Sequence, residues 1–103
     1  MKQQGLLPLL LAGMVEDVPA IAVNGMTLDN RRVQPGMAFV ALQGTRQHGL
    51  AYAEAAVQAG AVAIVFEPVA SLQIPSLAVP LIPVPGLREK LGLLAKRFYA
   101  APA

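Results

Sequence analysis

Two runs of this chain constrain its fold more than any other feature. Met37-Ala38-Phe39-Val40-Ala41-Leu42 and Ala61-Val62-Ala63-Ile64-Val65-Phe66 are apolar without interruption. A strand with one face in water alternates apolar and polar residues. A run with no polar position suits a strand covered on both faces, as in a parallel sheet. Between the runs, Leu50–Ala59 carries helical spacing. Tyr52, Ala56 and Ala59 fall on one face with Ala53 and Val57 beside them, and Glu54 and Gln58 lie away from it. Gly60 stands where a left-handed C-cap belongs. Strand, helix, strand predicts a parallel βαβ unit with a right-handed crossover.

The flanking segments add smaller elements. Residues 6–14 read as a short helix with Pro8 in its first turn. Val18-Pro19 ends it, because the residue before proline is pushed out of the helical region. Ala20–Val23 reads as a strand, and Asn24-Gly25 as a hairpin turn that would pair Met26-Thr27-Leu28 antiparallel with it. Gln34-Pro35-Gly36 is a turn, since proline fixes φ and glycine supplies φ > 0. Glu67–Pro80 contains Pro68, Pro75 and Pro80 and reads as an irregular connector. Leu81–Val84 reads as a short strand, with Pro83 placing it at a sheet edge. Pro85-Gly86 turns the chain into a helix over Leu87–Tyr99. There Leu87, Leu91, Leu94 and Phe98 form a core stripe, and Arg88, Lys90, Lys96 and Arg97 stand off it. The residues from Ala100 onward read as a stop or the start of a linker. The fold class is α/β: a small mixed sheet with flanking helices in a single domain spanning residues 1–103.

Bulk properties exclude several functions. The chain has no cysteine and one histidine, which removes disulfides, thiolate metal sites and a structural zinc site. No metal ligand set is expected. Net charge is +2, and the eight basic residues are spread along the sequence, a poor footprint for nucleic acid. No apolar run reaches the ~20 residues that a membrane span needs. The first 22 residues imitate a secretory signal, but the apolar stretch is short and broken by Pro8, and Glu16-Asp17 precedes the cleavage-like Ala20-Ile21-Ala22. They are read as a helix over one end of the sheet, in a cytoplasmic, monomeric protein.

The polar residues cluster between Gly25 and Gly49 in a chain that is 55% hydrophobic. Thr27, Asp29, Asn30, Arg31 and Arg32 precede the first apolar run, and Thr45, Arg46, Gln47 and His48 follow it. If these two turns lie at neighbouring strand ends, they form one rim for a polar, anionic small molecule. Asn30 donates and accepts at once, which suits a base edge. Arg31-Arg32 suits phosphate or a solvated pair. Gly44 and Gly49 free the second loop's backbone. Catalysis is not encoded: His48 reads as a solvated turn residue, Asp29 as the cap of its own turn, and no base–nucleophile–orienter set exists. There is no G-x-x-x-x-G-K-[ST] and no G-x-G-x-x-G phosphate loop.

A family resemblance sharpens this. Thr27-Leu28-Asp29-Asn30-Arg31, Val33-x-Pro35-Gly36, Phe39-Val40-Ala41-Leu42-x-Gly44, Gly49 and Ala59-Gly60-Ala61-x-Ala63 resemble the N-terminal domain of the Mur ligases. The MurE pattern is T-L-D-S-R, P-G-D-L-F-V-A and G-x-x-x-D-G, and Arg97-Phe98-Tyr99-Ala100-Ala101-Pro102 is similar to its F-Y-x-x-P ending. The resemblance implies a domain that binds the UDP part of a UDP-N-acetylmuramoyl-peptide substrate, in a ligase that adds the third stem-peptide residue of peptidoglycan. It implies further that ATP and Mg2+ are held by a central domain and the amino acid by a C-terminal domain. The chain would then be a piece of a longer three-domain ligase, non-catalytic alone and without a cofactor of its own. Carried over by motif, Leu28 and Asn30 contact the uridine, and Thr45, Arg46 and Gln47 the nucleotide. Asn30 departs from the family's serine, Thr45 from a histidine, His48 from an aspartate, and Met37 from the aspartate after Pro-Gly. A MurF-type domain and a stand-alone interaction module that has lost the ligand remain the alternatives.

Overall fold

The structure is a computed structural model that describes residues 4–100. Met1–Gln3, the linker reading of the last residues and Pro102 of the family-like ending lie outside the described residues. In chain order the elements are β1 (Gly5–Leu6), α1 (Leu7–Leu10), β2 (Ala22–Val23), β3 (Met26–Thr27), β4 (Ala38–Ala41), α2 (Ala53–Gln58), β5 (Ala63–Phe66), β6 (Leu81–Pro83) and α3 (Leu87–Ala100). Short 3-10 turns at Asn30–Arg32 and Gly49–Tyr52 precede β4 and α2.

The two apolar runs form the centre of the sheet, as their patterning requires. β4 and β5 pair in parallel, with Phe39 opposite Ile64 and Ala41 opposite Phe66 on one face, and Ala38 opposite Ala63 and Val40 opposite Val65 on the other. Successive side chains alternate between faces, so each strand feeds two cores. Phe39, Ala41, Ile64 and Phe66 pack with Leu50, Ala53 and Ala56 beneath α2. Val40 and Val65 pack with Leu7, Leu10 and Leu11 around α1 and with Leu87, Leu94 and Phe98 of α3. Leu7, Leu10 and Leu11 of the signal-like stretch are therefore core residues, while Leu6 and Leu9 are exposed. Three of the four residues of the α3 stripe are fully buried, and Leu91 packs at the margin. Arg97, off that stripe, donates from Nη1 to the Leu10 and Ala12 carbonyls at 2.9 and 2.8 Å, tying α3 to the end of α1.

Strand order is β3-β4-β5-β6 in a wholly parallel sheet, and β1 pairs antiparallel with β2 in a separate two-stranded one. Both pairings of the expected mixed architecture thus occur, in different sheets. Pro83 does lie on an edge strand. The expected hairpin at Asn24-Gly25 does not form: β3 pairs in parallel with β4, not with β2. A two-residue hairpin turn needs φ > 0 at its central residues, and neither Asn24 nor Gly25 has it. Instead Asn24 donates its backbone N–H to the Gly36 carbonyl and its side-chain amide to the Pro35 carbonyl, so the chain crosses from one sheet to the other. The helix expected over residues 6–14 is confined to Leu7–Leu10, and Gly13 beyond it takes φ of 80°. Tyr52 leaves the predicted buried face because its segment begins as a 3-10 turn, with about 3.0 residues per turn rather than 3.6.

The end of the sheet where β4 and β5 begin is locked by backbone. Pro35 and Gly36 make a turn closed by Met37 N–H to the Gln34 carbonyl, with Gly36 at φ of 89°. Gly36 N–H then bonds the Gly60 carbonyl. Gly60 itself has φ of 109°, and a Cβ there would stand 2.6 Å from Pro35 Cα. Gly60→Ala is expected to destabilise the chain by more than about 1 kcal/mol, since strain and overlap add. Urea unfolding that leaves the midpoint unchanged would refute this.

Candidate functional site

Because all four strands of the main sheet run in one direction, the loops after them gather at one edge, where ligands of open α/β sheets bind. A cleft of about 660 Å³ lies there, lined by Leu28 after β3, Leu42 to Gln47 after β4, Tyr52, and Arg88 at the start of α3. That volume falls within the range of small-molecule sites. The structure thus brings Leu28, Thr45, Arg46 and Gln47 together. Asn30 is not among the lining residues. It opens the 3-10 turn after Leu28, where its carbonyl accepts from Val33 N–H.

Each turn is shaped locally. Thr27 Oγ1 accepts from Asp29 N–H at 3.1 Å. The Asp29 carboxylate caps the next turn by accepting Arg31 N–H at 2.9 Å, and it takes both Nε and Nη2 of the Arg31 side chain. These bonds, the guanidinium contact first, hold the Asp29 carboxyl below the usual carboxylate range, and they raise Arg31 in turn. Arg31 is therefore latched to its own turn, and Asp29 serves as a cap. The preceding Leu28 is 54% exposed, an open apolar surface against which a flat ring can pack.

The second turn runs from Gln43 to His48, which bridge as an antiparallel pair. Gly44 N–H donates to the Gln47 carbonyl at 3.0 Å. A Cβ on Gly44 would sit 2.7 Å from that oxygen, so glycine serves here for close approach. Neither Gly44 nor Gly49 takes the left-handed region. Gln47 donates its side-chain amide to the Tyr52 hydroxyl at 2.7 Å.

His48 is not the solvated residue expected from sequence. It is buried, its Nδ1 accepts from Leu50 N–H at 3.0 Å, and its Nε2 lies 2.6 Å from the Glu67 carbonyl. This pattern requires the proton on Nε2, and it uses both nitrogens for structure. Nothing in the local sequence signals the link, because the carbonyl lies 19 residues away. Sequence reasoning also missed three members of the cleft, Gln43, Tyr52 and Arg88. Among the described residues, no group of three or more histidine, cysteine, aspartate or glutamate side chains could hold a metal ion. The cleft offers amides, hydroxyls, guanidinium groups and apolar surface, the equipment for holding a polar anionic molecule.

A family model described as Mur ligase family, catalytic domain, matches residues 22–99. The chain belongs to the Mur ligase family. It is 48% identical over 83 residues to UDP-N-acetylmuramoyl-L-alanyl-D-glutamate--2,6-diaminopimelate ligase of Xanthomonas campestris pv. campestris (strain 8004), covering 81% of this chain and 17% of that protein. It is 44% identical over 98 residues to the ligase of the same name in Xylella fastidiosa (strain 9a5c), covering 90% of this chain and 19% of that one. The chain thus spans less than a fifth of the length of these Mur ligases. Among solved structures it is similar to MurF ligase from Thermotoga maritima in complex with ADP, with a TM-score of 0.54, 28% identity and coverage of 70% of this chain and 16% of that one. MurF from Acinetobacter baumannii shares the fold, with a TM-score of 0.66, 20% identity and coverage of 91% and 21%.

Two outcomes follow from the site's geometry. Replacing His48 by alanine strands Leu50 N–H and the Glu67 carbonyl, and is expected to cost about 1–3 kcal/mol in chemical unfolding. For Asp29, the folded carboxyl titrates below the unfolded one, so its stabilising contribution is present above the usual carboxylate range and is lost as pH falls through the depressed folded value. A carboxyl NMR titration should place its midpoint below the usual range, and Arg31→Ala should move it up.

Proposed function

We propose that this chain is the UDP-binding N-terminal domain of a MurE-type ligase. Its role is to hold the nucleotide of UDP-N-acetylmuramoyl-dipeptide while the third stem-peptide residue is added in an ATP-dependent step of cytoplasmic peptidoglycan synthesis. The names of the curated relatives favour 2,6-diaminopimelate as that residue and the MurE type over the MurF type. In this reading ATP and Mg2+ belong to a central domain and the amino acid to a C-terminal domain of a longer, monomeric protein. The chain encodes no phosphate loop of its own.

The observation that carries the reading is the cleft at the carboxyl ends of parallel strands, whose lining includes Leu28, Thr45, Arg46 and Gln47. Leu28 would pack on the uracil, and the Thr45–Gln47 turn would supply hydrogen bonds to the nucleotide. Asn30, on the turn that carries Leu28, is assigned to the rim by motif resemblance.

The test is an amide NMR titration of the 103-residue chain with UDP. Shift changes should cluster at residues 27–32 and 44–49, with affinity on the order of millimolar to tens of micromolar, since few contacts offset the association cost. Gln47→Ala should weaken binding by about 1 kcal/mol, roughly fivefold. Changes confined to α3, or none at high millimolar UDP, would favour an interaction module instead.

A further inference from the structure

We propose that Arg88 holds a phosphoryl group of the nucleotide and thereby sets a preference for the nucleoside diphosphate over the nucleoside. The inference rests on the nucleotide reading of the cleft, and it concerns a residue that no part of the family motif singles out. Arg88 is the second residue of α3, its side chain is 56% exposed, and it lines the cleft together with the Thr45–Gln47 turn. Its Nη2 donates to the Gln43 carbonyl, 45 residues away in sequence. The same nitrogen lies 3.9 Å from Glu67 Oε1, which is already engaged by Gln43 N–H at 3.0 Å. Both contacts use Nη2, and among the described residues Nε and Nη1 have no partner.

A guanidinium anchored at one corner presents its remaining donors in a fixed plane, the geometry that suits phosphate oxygens. Anchoring also lowers the ordering cost of binding. The other four arginines are less suited, and Arg32, whose Nε lies 4.0 Å from Asp29 Oδ2, is not among the residues lining the cleft. Arg31 is latched to Asp29, and Arg97 is spent on the Leu10 and Ala12 carbonyls. Arg46 stands exposed at the turn, with no hydrogen bond among the described residues to orient it. The setting of Arg88 points the same way. A cation in the first turn of a helix is opposed by the macrodipole, and an anion bound there is favoured by both.

The experiment titrates the 103-residue chain, Arg88→Ala and Arg46→Ala with UDP and, separately, with uridine, following amide shifts. Arg88→Ala should weaken UDP binding by about tenfold while leaving uridine affinity unchanged, and Arg46→Ala should lose less. If Arg88→Ala alters the amide pattern of residues 43–49 before ligand is added, Arg88→Lys replaces it. Lysine keeps the charge without the fork, and a selective loss for UDP is again the expected result. An unchanged ratio of UDP to uridine affinity, an equal loss for both ligands, or a larger loss in Arg46→Ala would overturn the assignment of Arg88 and leave the nucleotide site standing. Failure of the wild-type chain to bind either ligand would overturn both.

Discussion

The parallel pairing of β4 with β5 is the constraint on which the rest of the molecule depends. Parallel strands cannot be joined by a tight turn and require a crossover element. That places α2 on one face and leaves the other for α1 and α3. The shared strand direction also gives the sheet two unlike ends. Where β4 and β5 begin, backbone closes on backbone: Gly36 N–H to the Gly60 carbonyl, and Val62 N–H to the Met37 carbonyl. Where they finish, the chain turns outward with polar side chains, and the cleft lies among them.

Glu67, the first residue after β5, organises that polar end. Its N–H donates to the Ala41 carbonyl, its own carbonyl meets His48 Nε2, and its carboxylate accepts Gln43 N–H. One residue thus fixes both feet of the Gln43–His48 turn and stands beside Arg88. The turn that carries Thr45, Arg46 and Gln47 is held from the neighbouring strand, so its placement depends on the β4–β5 register. A one-residue slip would exchange the two cores and move the turn's anchor at the same time.

Much of this was legible from sequence wherever the signal is local. Unbroken apolar runs gave β4 and β5, the four-residue stripe gave α3, and Pro35-Gly36 and Gly60 marked turns that do use φ > 0. The failures share a cause. Asn24-Gly25 carries a strong hairpin signal, but bonds to Pro35 and Gly36 decide its conformation. His48 looks like any polar loop residue until Glu67 is folded beside it. Arg88 looks like a solvated charge on the far side of a helix stripe until that helix starts at the cleft. Leu28 and the Thr45–Gln47 turn were legible as one rim because they bracket a single strand. Asn30, only two residues from Leu28, enters a 3-10 turn that carries it off the lining of the cleft.

The chemistry of the cleft follows from what its neighbours have already used. The Asp29 carboxylate is consumed by Arg31, and both His48 nitrogens are consumed by backbone. The Asp29 carboxylate and the His48 ring are thus engaged within the fold. What remains at the cleft is a set of hydroxyls, side-chain amides, guanidinium donors and an exposed leucine. Such a set can orient an anionic, flat-ringed molecule. In the proposed ligase, a domain built this way would contribute position, which counts in catalysis when the reacting groups are brought to it by another part of the protein. The polar economy of these turns fits the function proposed above, in which specificity for the nucleotide is separated from the bond being made.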